Sequence, residues 1–99
     1  MSANVVAIGD RAFASCQALT SLVIPSTVTT IGENAFRFCS VISSIILPAS
    51  VETVGENAFY RCDALSIKCE AQSKPDGWHN KWNYSNRPVT WGYGSTTNP

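Results

Sequence analysis

The chain has 99 residues, 44% of them hydrophobic, and its seven basic side chains balance its seven acidic ones. One small domain is therefore expected, and the zero net charge gives no broad electrostatic attraction to nucleic acid or an anionic membrane. No run of about 18 apolar residues is present, so no membrane-spanning helix is predicted. The N-terminus, "MSANVVAIGD", lacks the basic region and long apolar region of a secretory signal.

A nine-residue phrase occurs three times, as IGDRAFASC, IGENAFRFC and VGENAFYRC, and each copy follows the previous one by 23 residues. A fixed period of about 20 to 50 residues is typical of a repeat array. Three repeats are predicted over residues 1–71, at approximately 3–25, 26–48 and 49–71. A cap is predicted at 72–94, followed by a disordered tail at 95–99.

The phrase itself predicts a short helical turn, because Ala35, Phe36 and Cys39 would lie near one helical face. A glycine opens each copy and is expected to permit a sharp entry into the turn, including one with positive φ. An acidic residue follows the glycine in every copy, where a carboxylate would meet the partial positive charge of free N–H groups. These acidic residues are Asp10, Glu33 and Glu56.

Between the phrases, "LTSLVIP" at 19–25 and "ISSIILP" at 42–48 predict short strands ended by proline. In the third repeat, one residue is missing from this segment. One strand and one short helix per repeat predict an α/β solenoid, in which stacked coils bury each other's apolar side chains. Two core ladders are expected, formed by Phe13, Phe36 and Phe59 and by Cys16, Cys39 and Cys62.

Aromatic residues dominate the predicted cap. Trp78 and Trp82 are four residues apart and would share one face of a helix, while "RPVTWG" at 87–92 predicts a final strand. Trp78, Trp82 and Trp91 are expected to close the C-terminal end of the stack. The N-terminal end has no comparable cap. We therefore expect two copies to associate through an exposed apolar patch around Val5, Ile8 and Phe13.

The repeated run G-x-x-A-F-x-x-C-x-x-L-x-x-L-x-I-P resembles the BspA-like, or Treponema pallidum type, leucine-rich repeats over residues 5–71. The resemblance implies a right-handed solenoid with parallel strands on its concave face. It also implies a surface or secreted location in the full protein and adhesion to host or matrix proteins. The chain would then be a fragment of such an array, with its brevity, the absent signal and the one-residue deletion as departures.

Residue types that carry chemistry have simpler interpretations here. Cysteines beside phenylalanine behave as small hydrophobes, and no C-x-x-C spacing supports zinc. His79 is the only histidine and is interpreted as a surface residue. Asp10, Glu33 and Glu56, here called the acidic column, are better explained by electrostatics at the start of each turn than by a calcium site. No catalytic motif is present, so the chain is predicted to be noncatalytic and to use no metal or cofactor.

The predicted binding surface is the solvent-facing side of the strands, a flat and weakly charged strip suited to protein contact. Its candidate residues are Thr20, Ser21, Val23, Ser43, Ser44, Ile46, Ser66 and Lys68. Two alternatives stay open: a structural spacer with its own cap, and a sugar stacked on Trp78 or Trp82. Phe38 is interpreted as a lone exposed aromatic on the outer turn, without a function.

Overall fold

The computed structural model describes residues 6–93. The chain forms a parallel-strand solenoid of about four turns, which confirms the predicted solenoid. Four strands form one sheet in the order β2-β4-β6-β7, and three very short strands form a second sheet in the order β1-β3-β5. The strands are β1 Ala7–Ile8, β2 Ser21–Val23, β3 Thr30–Ile31, β4 Ser44–Leu47, β5 Thr53–Val54, β6 Ser66–Cys69 and β7 Val89–Trp91.

The four-stranded sheet lies in the segments that the sequence predicts to be strands. Leu22, Ile45 and Ile67 are parallel partners, and the step from β4 to β6 is one residue shorter than the step from β2 to β4. The deletion in the third repeat is thus absorbed before β6. The three-stranded sheet was not predicted, since strands of two residues are too short to show an alternating pattern.

The predicted helical turns are not confirmed, because residues 6–93 contain no helix. The phrase forms consecutive tight turns, in which Ala35 N donates to Gly32 O and Arg37 N donates to Asn34 O. The amides between these donate to carbonyls of the next coil: Phe36 N donates to Ala58 O and Phe38 N to Tyr60 O, both at 2.8 Å. A helix would use every amide within its own segment, whereas here every second amide joins one coil to the next.

The core is built from equivalent side chains of successive coils. The rings of Phe13 and Phe36 stack at 5.2 Å and those of Phe36 and Phe59 at 5.5 Å, with interplanar angles of 2° and 7°. Burying each such ring contributes roughly 1.5–3 kcal/mol. The stack therefore depends on coils that keep one register.

The C-terminal segment continues this arrangement as a partial fourth turn. Trp82 follows Phe59 by 23 residues and packs edge-on against it, at 6.2 Å between ring centroids. Trp78 Nε1 donates to Val51 O at 3.3 Å, and β7 pairs with β6. The predicted tail at 95–99 and Val5 of the predicted N-terminal patch lie outside the described residues.

Glycine is required in the repeated phrase for a different reason from the one expected. Gly9, Gly32 and Gly55 do not have positive φ; among residues 6–93 Gly92 is the glycine that does. A Cβ on Gly32 would lie 2.6 Å from Asp10 N, and a Cβ on Gly55 would lie 2.5 Å from Glu33 N. The glycine column therefore lets the backbones of adjacent coils approach closely.

Gly55→Ala should lower the free energy of unfolding by about 1–3 kcal/mol, because its methyl group would clash with backbone that cannot easily move. The matched control is Gly9→Ala in the same column, where an added Cβ would meet nothing within 4 Å. Urea denaturation followed by tryptophan fluorescence measures both. Equal destabilisation by the two substitutions would contradict the close-approach explanation.

Candidate protein-binding surface

The outer face of the four-stranded sheet carries six side chains in two rows across three strands. Ser21, Ser44 and Ser66 are register partners in the first row, and Val23, Ile46 and Lys68 are partners in the second. Val23 is 66% exposed, whereas Ile46 and Lys68 are partly buried. We call these six residues the sheet strip. It combines small hydroxyls, two aliphatic side chains and one cation.

Two predicted residues, Thr20 and Ser43, lie just before β2 and β4 rather than within the strands. Ser43 donates to Thr20 O through its amide at 2.8 Å and through its hydroxyl at 3.2 Å. The hydroxyl of Ser43 is therefore engaged in joining two coils. Both residues are exposed, so Thr20 and Ser43 stay candidates at the edge of the sheet strip.

The structure adds Tyr93 to this surface, a residue that the repeat pattern did not identify. Lys68 Nζ lies 5.2 Å from the centre of the Tyr93 ring, and Thr90 extends the Lys68 row onto β7. Tyr93 follows the last strand and has no counterpart in the earlier repeats, so no column could reveal it. A cation held over an aromatic ring gives this end of the sheet strip a more specific chemistry than its hydroxyl rows have.

The N-terminal face of the stack carries a pocket of about 330 Å³, lined by Phe13, Cys16, Gln17, Ala18 and Leu19. Arg11 N, Phe13 N and Ser15 N donate to carbonyls of the second coil. The equivalent carbonyls of the first coil belong to Asp10, Ala12 and Ala14. None of these three carbonyls receives a hydrogen bond from any residue in 6–93. This face therefore presents an apolar pocket beside a row of backbone acceptors.

The cysteine ladder makes specific contacts in the core. Cys39 Sγ donates to Phe13 O at 3.0 Å, and Cys62 Sγ donates to Phe36 O at 2.9 Å. All four thiols are free. Burial raises the pKa of Cys39 and raises those of Cys62 and Cys69 to about 12, against an ordinary value of 9.0. These buried thiols are neutral packing groups at physiological pH.

The acidic column joins coils rather than starting helices. Asp10 Oδ1 accepts a hydrogen bond from Glu33 N at 2.9 Å, and Glu56 Oε1 lies 3.9 Å from His79 Nε2. His79 is exposed, and its Nδ1 accepts from Lys81 N at 2.9 Å. Within residues 6–93, no group of three histidine, cysteine, aspartate or glutamate side chains is placed to hold a metal ion.

The cap tryptophans pack against one another. Trp78 is 3% exposed and Trp82 is 6% exposed, and both rings contact that of Trp91. A sugar stacking on Trp78 or Trp82 would need a ring face that is open to solvent. The burial of both rings therefore argues against the sugar-binding alternative.

Comparison with protein families agrees with the sequence pattern and the fold. The family model described as "BspA type Leucine rich repeat region (6 copies)" matches residues 1–75. The chain therefore belongs to the BspA-type leucine-rich repeat family. The comparisons with curated proteins and with solved structures returned no match. No helix within residues 6–93 has the length and apolar character needed to cross a bilayer.

The buried thiols predict alkaline destabilisation of the reduced protein. Above pH 9 the unfolded chain loses thiol protons that Cys62 and Cys69 keep in the folded state up to about pH 12. Stability is thus fully present below pH 9 and falls between about pH 9 and 12, with each thiol adding up to about 1.4 kcal/mol per pH unit to the slope.

Urea denaturation at a series of pH values measures this slope. The double variant Cys62→Ala, Cys69→Ala should be less stable at neutral pH but should lose less stability per pH unit above pH 9. The two proteins differ only at Cys62 and Cys69, so the difference in slope isolates these thiols. Identical slopes would contradict the assignment.

Proposed function

We propose that this chain is a noncatalytic protein-binding module that uses the sheet strip. The observation that carries the proposal is the in-register row of Val23, Ile46 and Lys68 on the face of a parallel sheet. Aliphatic side chains flanked by hydroxyls suit contact with a protein surface, since apolar area and hydrogen-bonding groups are both presented on a flat face. Family membership supports a repeat module of this kind.

The proposal extends to the location and the partner. By the family resemblance, the sheet strip would line the concave face of the solenoid, and the full protein would sit at the cell surface or be secreted. The partner would be a host or matrix protein, and binding would serve adhesion. The chain would need no cofactor and no metal for this role.

Val23→Glu and Lys68→Glu should each weaken binding to a matrix protein by about tenfold or more, because they place a desolvated carboxylate in the contact. Binding to immobilised collagen, laminin and fibronectin is measured by surface plasmon resonance. Ser73→Glu, an exposed position outside both sheets, serves as the control for added negative charge. Unchanged binding by both strip variants, or no binding by the unmodified protein, would contradict the proposal.

A structural spacer ending in its own cap is the second candidate function. The packing of Trp78, Trp82 and Trp91 over the last coil favours it. A spacer predicts that Trp82→Ala lowers stability while strip substitutions change no interaction. The matrix-protein measurement therefore also separates the two candidates.

We also propose that two copies associate through the N-terminal face. The apolar pocket beside Phe13 supports this, because coil stacking elsewhere in the chain covers the corresponding side chains. The C-terminal end is covered by the cap, so association through the N-terminal face would give a closed pair rather than a filament.

Ala18→Glu should shift the protein from dimer to monomer, because Ala18 is exposed and lines the pocket. Sedimentation velocity over a range of concentrations measures this, with Ser73→Glu as the control. The unfolding free energy of the monomeric variant should be little changed. A monomer for the unmodified protein at the highest concentration would overturn this proposal.

A further inference from the structure

A second exposed surface runs along the turns, away from the sheet strip. Tyr60 lies between Phe38 and Tyr84, with 6.0 Å between ring centroids on each side. Phe38 is 39% exposed and Tyr84 is 61% exposed. The interpretation of Phe38 as a lone exposed aromatic is therefore wrong: three rings from successive coils form one continuous row.

Cations accompany this row. The Arg37 guanidinium lies 4.8 Å from the centre of the Phe38 ring and 5.6 Å from that of Tyr60. Lys81 Nζ lies 5.5 Å from the centre of the Tyr84 ring. Arg61 follows Tyr60 in the chain and shares a repeat column with Phe38. We call these residues the aromatic ridge: Arg37, Phe38, Tyr60, Arg61, Lys81 and Tyr84.

The charges of the ridge are only partly neutralised within the chain. The carboxylates on the turns of residues 6–93 are those of Asp10, Glu33, Glu56, Asp63 and Asp76. Asp63 lies 3.6 Å from Arg61, and Glu56 lies 3.9 Å from His79. No ion pair within residues 6–93 involves Arg37 or Lys81, and Arg37 Nε is buried with no hydrogen-bond partner. The ridge is therefore positively charged along its aromatic row.

The backbone at the ridge has the left-handed conformation that the repeat gives to this column. Ser15, Phe38 and Arg61 occupy the column and have φ of 61°, 60° and 61°. Glycine and asparagine adopt this left-handed conformation readily, whereas larger side chains do so at a cost of about 1 kcal/mol. An exposed phenylalanine and an exposed arginine thus stand where the backbone favours smaller residues.

We propose that the aromatic ridge binds an acidic peptide segment of a partner protein. Carboxylates of the peptide would pair with Arg37 and Lys81, and its apolar side chains would pack between the rings of Phe38, Tyr60 and Tyr84. Tyrosine and arginine, together with tryptophan, are enriched among the residues that dominate binding energy at protein interfaces. This surface and its ligand are separate from the sheet strip and its matrix-protein partner.

The ring geometry favours a peptide over a glycan. Phe38 and Tyr60 meet at 64° and Tyr60 and Tyr84 at 39°, so the three rings do not form a flat platform for pyranose rings. Arg37 and Lys81 already lie over ring faces. A peptide can place side chains into the angles between tilted rings and carboxylates beside the cations.

The test uses a fluorescein-labelled peptide of about 12 residues in which glutamate alternates with leucine and tyrosine. Fluorescence anisotropy with the full chain should give saturable binding below about 1 mM that weakens as salt is added. Phe38→Asn and Tyr84→Ser should each weaken binding about fivefold or more. Both proteins should stay folded, since asparagine tolerates the left-handed backbone and Tyr84 is mostly exposed.

Val23→Ser, on the sheet strip, is the matched control and should bind the peptide as the unmodified protein does. A peptide with lysine in place of glutamate should not bind. Any one of four results would overturn the proposal: no saturable binding, equal binding of the lysine peptide, unchanged binding by both ridge variants, or displacement of the peptide by heparin at concentrations below the peptide's own dissociation constant.

Discussion

The structure depends on backbone amides that alternate between two kinds of partner. Within the turns, one amide closes a tight turn in its own coil and the next reaches a carbonyl of the following coil, as Ala35 N and Phe36 N illustrate. Because each coil must stay in register to satisfy these bonds, equivalent residues lie directly above one another. The stacked phenylalanines and the close-approach glycines both follow from this constraint.

The same hydrogen bonds make the two ends of the stack different. The last coil donates from Asn57 N and Arg61 N to the C-terminal segment, where Trp82 takes the place of the next phenylalanine. The first coil faces the other way, with acceptors on Asp10, Ala12 and Ala14 beside an apolar pocket. The direction of the hydrogen bonds thus gives one end that is filled by large aromatic rings and another that presents an apolar pocket and backbone acceptors.

The surfaces carry the candidate binding sites, because the interior consists of apolar packing groups and buried thiols whose pKa is raised. The two long surfaces differ in kind. The sheet strip is built from small hydroxyls and aliphatic side chains, whereas the aromatic ridge combines tilted rings with cations. Substitutions in a repeat can change one surface without changing the other, since residues of the sheet strip and of the aromatic ridge lie in separate segments of each coil.

The sequence by itself determined the repeat family and the solenoid, because residues 23 apart must recur when every coil packs on a copy of itself. Only the tertiary structure decided where the amides of the phrase bond; a local pattern that suited a helix could not reveal acceptors in another coil. It also decided contacts between different columns, such as Phe38 with Tyr60 and Lys68 with Tyr93. Column-by-column reading shows which residues stack on their equivalents, but a contact between columns depends on how far each side chain reaches across neighbouring coils.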